Sequence, residues 1–425
     1  MKWRNQLLAL FCLAVFLAFG VFYFRYWVVQ KPFGIILFIG EGLGSGRLAA
    51  ARIYSAGADT PLTLDSLPYT AFLKNYSLDF ATPDEAAAAT ALATGVKVKN
   101  GAIGVDAAGK SLMNMLELAR ESGRMTGLVT NGLLTNVTPA SFYAHASKQD
   151  HPEFARVLTE DAKIDLVLGG GSAAFVPETN GGHRSDGRDL LSELQDAGYD
   201  LVRSLEELEE VPRWRRPRLF GLFSMKELAS ADDDDAQGDE PSLADMVRRA
   251  IELLQFNSGG YLLVVDAGLM RKAAQENDGQ RTLLETIELD RAVSVALRYA
   301  GAKSTILVCG DVAIGGLNLN GLPPREQAGP ALLESRTAVI PWLTWATGPN
   351  GVKNPPTSTD PISPAEKLAE PLEAPAHIRE PAAFYAESAL HTADDVSAFG
   401  SGLGADALHG TLESTAIFDI IRDNL

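Results

Sequence analysis

The stretch "GIILFIG", residues 34–40, sets an unbroken apolar run between two glycines and is followed at once by Glu41. A run so short and so apolar suits a strand buried on both faces, as in the middle of a parallel sheet. Four further short apolar runs repeat the pattern, most of them closing on Gly or an acid: "TGLVT" (126–130), "DLVLGGG" (165–171), "GYLLVVDAG" (260–268) and "STILVCGD" (304–311). Between them "LMNMLELARES" (112–122), "RDLLSELQDAG" (188–198) and "LADMVRRAIELLQF" (243–256) place apolar residues at steps of three and four, the helical period. The alternation predicts an α/β fold with a mainly parallel central sheet flanked by helices on both faces.

The chain has 425 residues, 46% of them hydrophobic. That is enough to bury a core without a disulfide or a structural metal. The net charge of −17 argues against a nucleic-acid partner, whose phosphates it would repel, and fits a domain that gathers cations. Of the two cysteines, Cys12 lies in the apolar N-terminus, so no disulfide with Cys309 is expected.

Lys2 and Arg4 precede an uncharged apolar run from Leu7 to Phe24, close to the roughly 20 residues that span a bilayer. Tyr23, Tyr26 and Trp27 sit at its outer end beside Arg25 and Lys31, as in an interfacial belt. The run is longer than a signal-peptide core and no A-x-A site follows. Residues 1–30 are therefore read as an uncleaved membrane anchor, with a cleaved signal as the alternative, and residues 31–425 as one domain on the outer side, periplasmic or extracellular. Two segments interrupt the alternation. "ASADDDDAQGDEPS" (229–242) reads as a solvated acidic loop, its Gly238 misplaced for a calcium loop. Residues 321–383 are rich in proline and read as an irregular insertion.

Three of the predicted strands finish on carboxylates: Glu41, Asp266 and Asp311. Ligands of open parallel sheets bind beyond the carboxyl ends of the strands. The three acids are expected to meet in one crevice, as oxygen donors for Mg²⁺ or Ca²⁺ or, with histidines added, Zn²⁺. Each alone would be an ordinary helix cap. A fourth element comes from "ATPDEAAAATALATGVKVKNGAIGVD" (81–106). Asp84 is placed to cap a helix, Glu85 falls in its first turn, alanines propagate it and Gly95 ends it. Glu85 thus puts the protein's own anion at a helix N-terminus, where phosphate is otherwise favoured.

These segments resemble the alkaline phosphatase family. "ILFIGEGLG" is similar to its apolar strand followed by I-G-D-G-M-G, and "DEAAAATALATGVKVKNGAIGVD" to its nucleophile segment D-S-A-x-x-A-T-A-x-x-T-G-x-K and N-G-x-x-G-V-D. "LLTNVTPASFYAHASKQD", "LVVDAGLMRKAAQ", "GDVAIGG" and "LHTADDVSAFGSG" stand where its later motifs would be, in order, over residues 34–320 and 384–425. The resemblance implies phosphate-ester hydrolysis by a serine between two zinc ions, with a magnesium alongside. It also implies where each functional residue falls, and there this chain departs. The attacking serine is replaced by Glu85 and the phosphate-gripping arginine by Gln149. Of the first zinc's ligands only His391 is kept, Arg271 and Gln275 standing at the others. At the second, Asp311 is kept, Val312 replaces a histidine, and Glu41 replaces the aspartate shared with magnesium. Around the magnesium, Thr138 is kept, Asp266 is a shortened glutamate and Asn136 stands for an aspartate or histidine.

Arginine does not deprotonate in proteins and valine cannot coordinate, so a zinc pair is not expected. Glu41, Thr138, Asp266 and Asp311 leave one Mg²⁺ or Ca²⁺ open. Two readings of Arg271 and Glu85 stand side by side: an ion pair in which the one imitates the first zinc and the other the phosphorylated serine, or independent drift after catalysis was lost. A glutamyl nucleophile would need cations to hold the phosphoryl group, and Gln149 supplies none. Two functional classes follow. One is a catalytically degraded, membrane-anchored homologue that binds or scaffolds. The other is a hydrolase with a reduced one-metal site. The family's frequent pairing implies a homodimer, and the sequence specifies no protein partner.

Overall fold

The computed structural model describes residues 2–23, 33–214, 216–233, 239–321, 325, 328–333, 342–353 and 380–425. The longer strands, in chain order, are β1 (Gly34–Gly40), β2 (Tyr69–Lys74), β3 (Met125–Leu133), β4 (Leu166–Gly170), β5 (Asp200–Val202), β6 (Leu219–Leu222), β7 (Tyr261–Ala267) and β8 (Thr305–Gly310). Then come β9 (Ala313–Ile314), β10 (Asn318–Leu319), β11 (Leu343–Gly348), β12 (Gly351–Val352), β13 (Ala382–Tyr385), β14 (His391–Thr392), β15 (Val396–Ser401) and β16 (His409–Glu413). One ten-stranded sheet runs in the order β16-β2-β15-β8-β1-β7-β3-β4-β6-β5.

Every residue of β1 is buried, which is why that stretch carries no polar alternation. Its neighbours β7 and β8 run parallel to it, Ile39 lying opposite Asp266 and Gly40 opposite both Ala267 and Gly310. Side chains alternate between two cores. Ile36, Phe38, Leu263, Val265 and Val308 face the helices Ser45–Ala56, Leu243–Leu254 and Gly279–Tyr299. Ile35, Leu37, Ile39, Leu262 and Val264 face Glu85–Thr94, Met115–Glu121, His151–Glu160 and Ala416–Asn424. The sheet is mainly parallel and flanked on both sides, as expected.

Three features were not expected. Strand β15 is antiparallel to both β8 and β2. The helix Gly279–Tyr299 was not anticipated as an element. And the segment read as irregular contains β11, β12 and β13, which form a four-stranded sheet with β10. The rest of that proline-rich segment lies largely outside the described residues, as do residues 234–238 of the acidic loop and Arg25, Tyr26, Trp27 and Lys31 of the expected belt. Lys2–Tyr23 forms a helix whose span Trp3–Gly20, with mean hydropathy 1.5, is long and apolar enough to cross a membrane. Cys12 and Cys309 are both free.

Candidate functional site

Parallel pairing of β7, β1 and β8 ends three strands at one edge, and their acids gather there. Glu41, Asp266 and Asp311 are 0%, 1% and 3% exposed. Asp311 Oδ1 accepts from the backbone N–H groups of Gly42 (3.1 Å) and Val312 (2.6 Å), and its Oδ2 from Thr138 Oγ1 at 3.4 Å. Asp266 Oδ2 accepts from Thr130 Oγ1 at 2.7 Å. Both carboxylate oxygens of Glu41 and Oδ1 of Asp266 accept no hydrogen bond. Burial, then repulsion from neighbouring carboxylates, pushes these acids up: Glu41 well above its ordinary value, Asp266 to about 7 and Asp311 to about 6.

The alanine helix Glu85–Thr94 enters from the opposite core. Asp84 caps it, accepting from Ala87 N at 2.8 Å and, through its second oxygen, from Gly101 N at 2.6 Å. Gly95 ends it with φ 72°, in the left-handed region. Glu85 projects from the first helical position onto three partners. Its Oε1 accepts from Gln275 Nε2 at 2.9 Å, and lies 3.3 Å from His391 Nε2 and 3.6 Å from Arg271 Nη1. His391 is brought there by β14, which pairs with β9 just beyond Asp311. Burial pushes the Glu85 carboxyl up, but His391 and Arg271 outweigh it and hold it below its ordinary value. Burial likewise pulls His391 down, and Glu85 outweighs that and raises it.

Arg271 joins the two groups of acids. Besides facing Glu85, its Nε lies 2.8 Å from Glu41 Oε2. This is a close charge contact without an aligned hydrogen bond. The Arg271–Glu85 pair is present, and Glu41 is the nearer partner.

A second guanidinium, Arg47, is 3% exposed and donates from Nη1 to the carbonyls of Glu41 (2.8 Å) and Met270 (3.4 Å). The charges of Asp311 and Glu41 act on it, though burial outweighs them and lowers it to about 10. Gly42, at φ 81°, leaves it room: a Cβ there would lie 2.8 Å from the guanidinium nitrogens. Sequence reasoning missed Arg47. Its signal is a base in the first turn of the helix Ser45–Ala56, which has no acid and no side-chain cap there, where the helix dipole favours an acid. Thr130 was also missed.

The remaining expected residues divide. Gln275 is in the cluster. Val312 is fully buried and contributes only its backbone N–H to Asp311. Asn136 is buried where the short helix Val137–Ala140 begins, and its side chain makes no capping bond. Gln149 is not brought to the cluster: it is exposed and bonded to His151 Nε2 at 2.9 Å, whose other ring nitrogen meets Thr135 Oγ1.

The zinc pair does not fit these residues, since a guanidinium, an amide and an aliphatic side chain stand at ligand positions. The unpartnered oxygens of Glu41 and Asp266, with Thr138 and Asp311, are the right chemistry for one hard cation. Among the described residues, however, no three acidic, His or Cys side chains are arranged to hold an ion.

The fold is that of the alkaline phosphatase from the Antarctic bacterium TAB5, with a TM-score of 0.70 and 20% identity over 93% of this chain and 98% of that one. A variant of that enzyme was solved with Mg bound in a site called M3. The chain is 33% identical to alkaline phosphatase H of Pseudomonas aeruginosa (strain UCBPP-PA14), over 72% of this chain and 74% of that protein. It is 29% identical to the tissue-nonspecific isozyme of Gallus gallus, over 90% and 82%. The family model for alkaline phosphatase matches residues 34–425. The chain belongs to the alkaline phosphatase family.

Proposed function

We propose that this family member does not hydrolyse phosphate esters and acts instead by binding or scaffolding, held to a membrane by its N-terminal helix with the domain on the outer side. The observation that carries this reading is the engagement of Glu85. The residue at the attacking position has no hydroxyl, and its carboxylate is tied to Gln275, His391 and Arg271. Phosphoryl transfer needs a nucleophile and cations aimed at the transferred group. Here Arg271 is turned onto the protein's own acids, and Gln149 is bonded to His151 at the surface. The helix Lys2–Tyr23 supports the anchoring.

One observation favours a second reading, a metal-dependent phosphate-ester hydrolase with a reduced site. The oxygens of Glu41 and Asp266 that lack partners would suit one Mg²⁺ or Ca²⁺, and the relatives compared above are named alkaline phosphatases. The full-length chain in detergent, assayed on aryl phosphate mono- and diesters with added Zn²⁺ or Mg²⁺, separates the two. We expect no turnover above buffer. Turnover that depends on metal and vanishes in Asp311→Asn would establish the second reading.

A further inference from the structure

We infer that Arg47 and Arg271 are the crevice's resident counter-ions, two guanidinium groups doing structurally what bound metals do elsewhere in this fold, so that the folded chain has no need of a divalent cation there. This deepens the reading of an unreactive site and rests on it for context only.

The geometry is as follows. The acids Glu41, Asp266 and Asp311 close three adjacent strands and are almost wholly buried. Carboxylates confined in this way take up protons more readily, as their raised titration shows, and where ionised need positive charge at short range. Arg271 reaches in from one side, with Nε 2.8 Å from Glu41 and Nη1 3.6 Å from Glu85. Arg47 lies at the backbone that carries Glu41. It is anchored on the Glu41 and Met270 carbonyls, is itself 3% exposed, and its Nε and Nη2 have no hydrogen-bond partner. Its place beside the acids is set by geometry: it donates to the carbonyl of Glu41 itself and packs against Gly42, whose N–H donates to Asp311 Oδ1 at 3.1 Å. Gly42 and Arg47 depend on each other, because any side chain at Gly42 would meet the guanidinium. A guanidinium cannot leave as a metal ion can, so the compensation is permanent.

The test uses the full-length chain in detergent, purified after growth with added Zn²⁺ and Mg²⁺. Metal content is measured by mass spectrometry and thermal unfolding is followed with EDTA, Mg²⁺, Ca²⁺ or Zn²⁺. We expect well under one metal ion per chain and a Tm that neither chelator nor cation moves. Arg271→Met should turn a cation-indifferent protein into one whose Tm rises with Mg²⁺ or Ca²⁺ concentration. Arg271→Gln serves if the methionine variant does not fold. Arg47→Met should lower Tm. One or more tightly bound ions whose removal lowers the wild-type Tm would overturn the inference. So would a folded Arg271 variant that stays indifferent to cations. The two readings fail separately: turnover by a metal-free chain defeats the proposed function alone, and an inactive chain loaded with metal defeats this inference alone.

Discussion

The alanine helix and the strand-end acids lie against each other but are built by different means. Every device of the helix is local. Its cap, Asp84, and its terminator, Gly95, flank it in the chain, and the cap oxygens are satisfied by Ala87 and Gly101. The acid cluster has no local logic. Glu41, Asp266 and Asp311 come together only through the register of β1 with β7 and β8, and several of their oxygens find no hydrogen bond. Packing and capping can therefore preserve an architecture while the chemistry on it is exchanged residue by residue, provided the charges still close. The helix supplies shape, and the cluster supplies an electrostatic balance that pH should disturb.

The largest expected effect is in the cluster. Arg271→Ala leaves Glu41 buried and unpaired, and should cost about 3–5 kcal/mol in denaturant unfolding. A loss under about 1 kcal/mol would break the contrast, because the cluster would then not need its guanidinium. Gly95→Ala comes next. The position has φ 72° and a Cβ there would lie 2.5 Å from the Phe418 ring, so about 1–3 kcal/mol should be lost, with no dependence on salt. Asp84→Ala removes a cap and should cost about 1–2 kcal/mol.

The pH profile sharpens the comparison further. Asp266 and Asp311 are raised in the fold, to about 7 and about 6 from an ordinary 3.8. The folded state thus binds more protons than the unfolded one, and stability falls as pH rises through that window. The raised His391 acts in the same direction, its contribution complete below its ordinary 6.5 and lost as pH climbs through its folded value. Glu85 is held below its ordinary 4.5, so its contribution is present above that value and lost on acidification. The cluster's contribution to Tm should therefore be greatest near pH 4.5, fall steadily between about pH 4.5 and 7, and level off above that once His391 has also lost its proton. Asp266→Asn should flatten the decline, whereas Gly95→Ala, which removes no titrating group, should lower the whole curve without changing its slope there. A profile as steep in Asp266→Asn as in the wild type would remove the cluster from the explanation. The smallest effect belongs to Gln149→Arg. The site is exposed and separate from the cluster, so stability should change by no more than about 0.5 kcal/mol, and phosphatase assays should stay at background.

What was legible in the sequence follows the same division. Helix caps and buried strands are written in neighbouring residues, so Asp84, Gly95 and β1 could be placed from the sequence alone. The meeting of Glu41, Asp266 and Asp311 could be anticipated because each follows a strand, and the facing of Arg271 and Glu85 because the family resemblance supplied the alignment. The long helix Gly279–Tyr299 escaped notice for a physical reason. Its inward face carries Thr282, Glu285, Thr286 and Asp290 among the apolar residues, which dilutes the periodic stripe. Strand β15 escaped because its six residues include Gly400 and two serines, a weak strand signal made stable only by β8 and β2 on either side. Arg47 escaped because its burial depends on room left by Gly42 and on acids far away in the chain.

The direction of β1 has a consequence for how a tethered molecule would stand. The chain enters that strand at Gly34 and leaves it at Gly40, immediately before Glu41. The acid cluster therefore lies a full strand length, about 23 Å, from the point of entry. If the helix Lys2–Tyr23 is fixed in a bilayer, the chain that follows it joins the sheet at the end opposite the crevice, so attachment and site belong to different poles of the same strand.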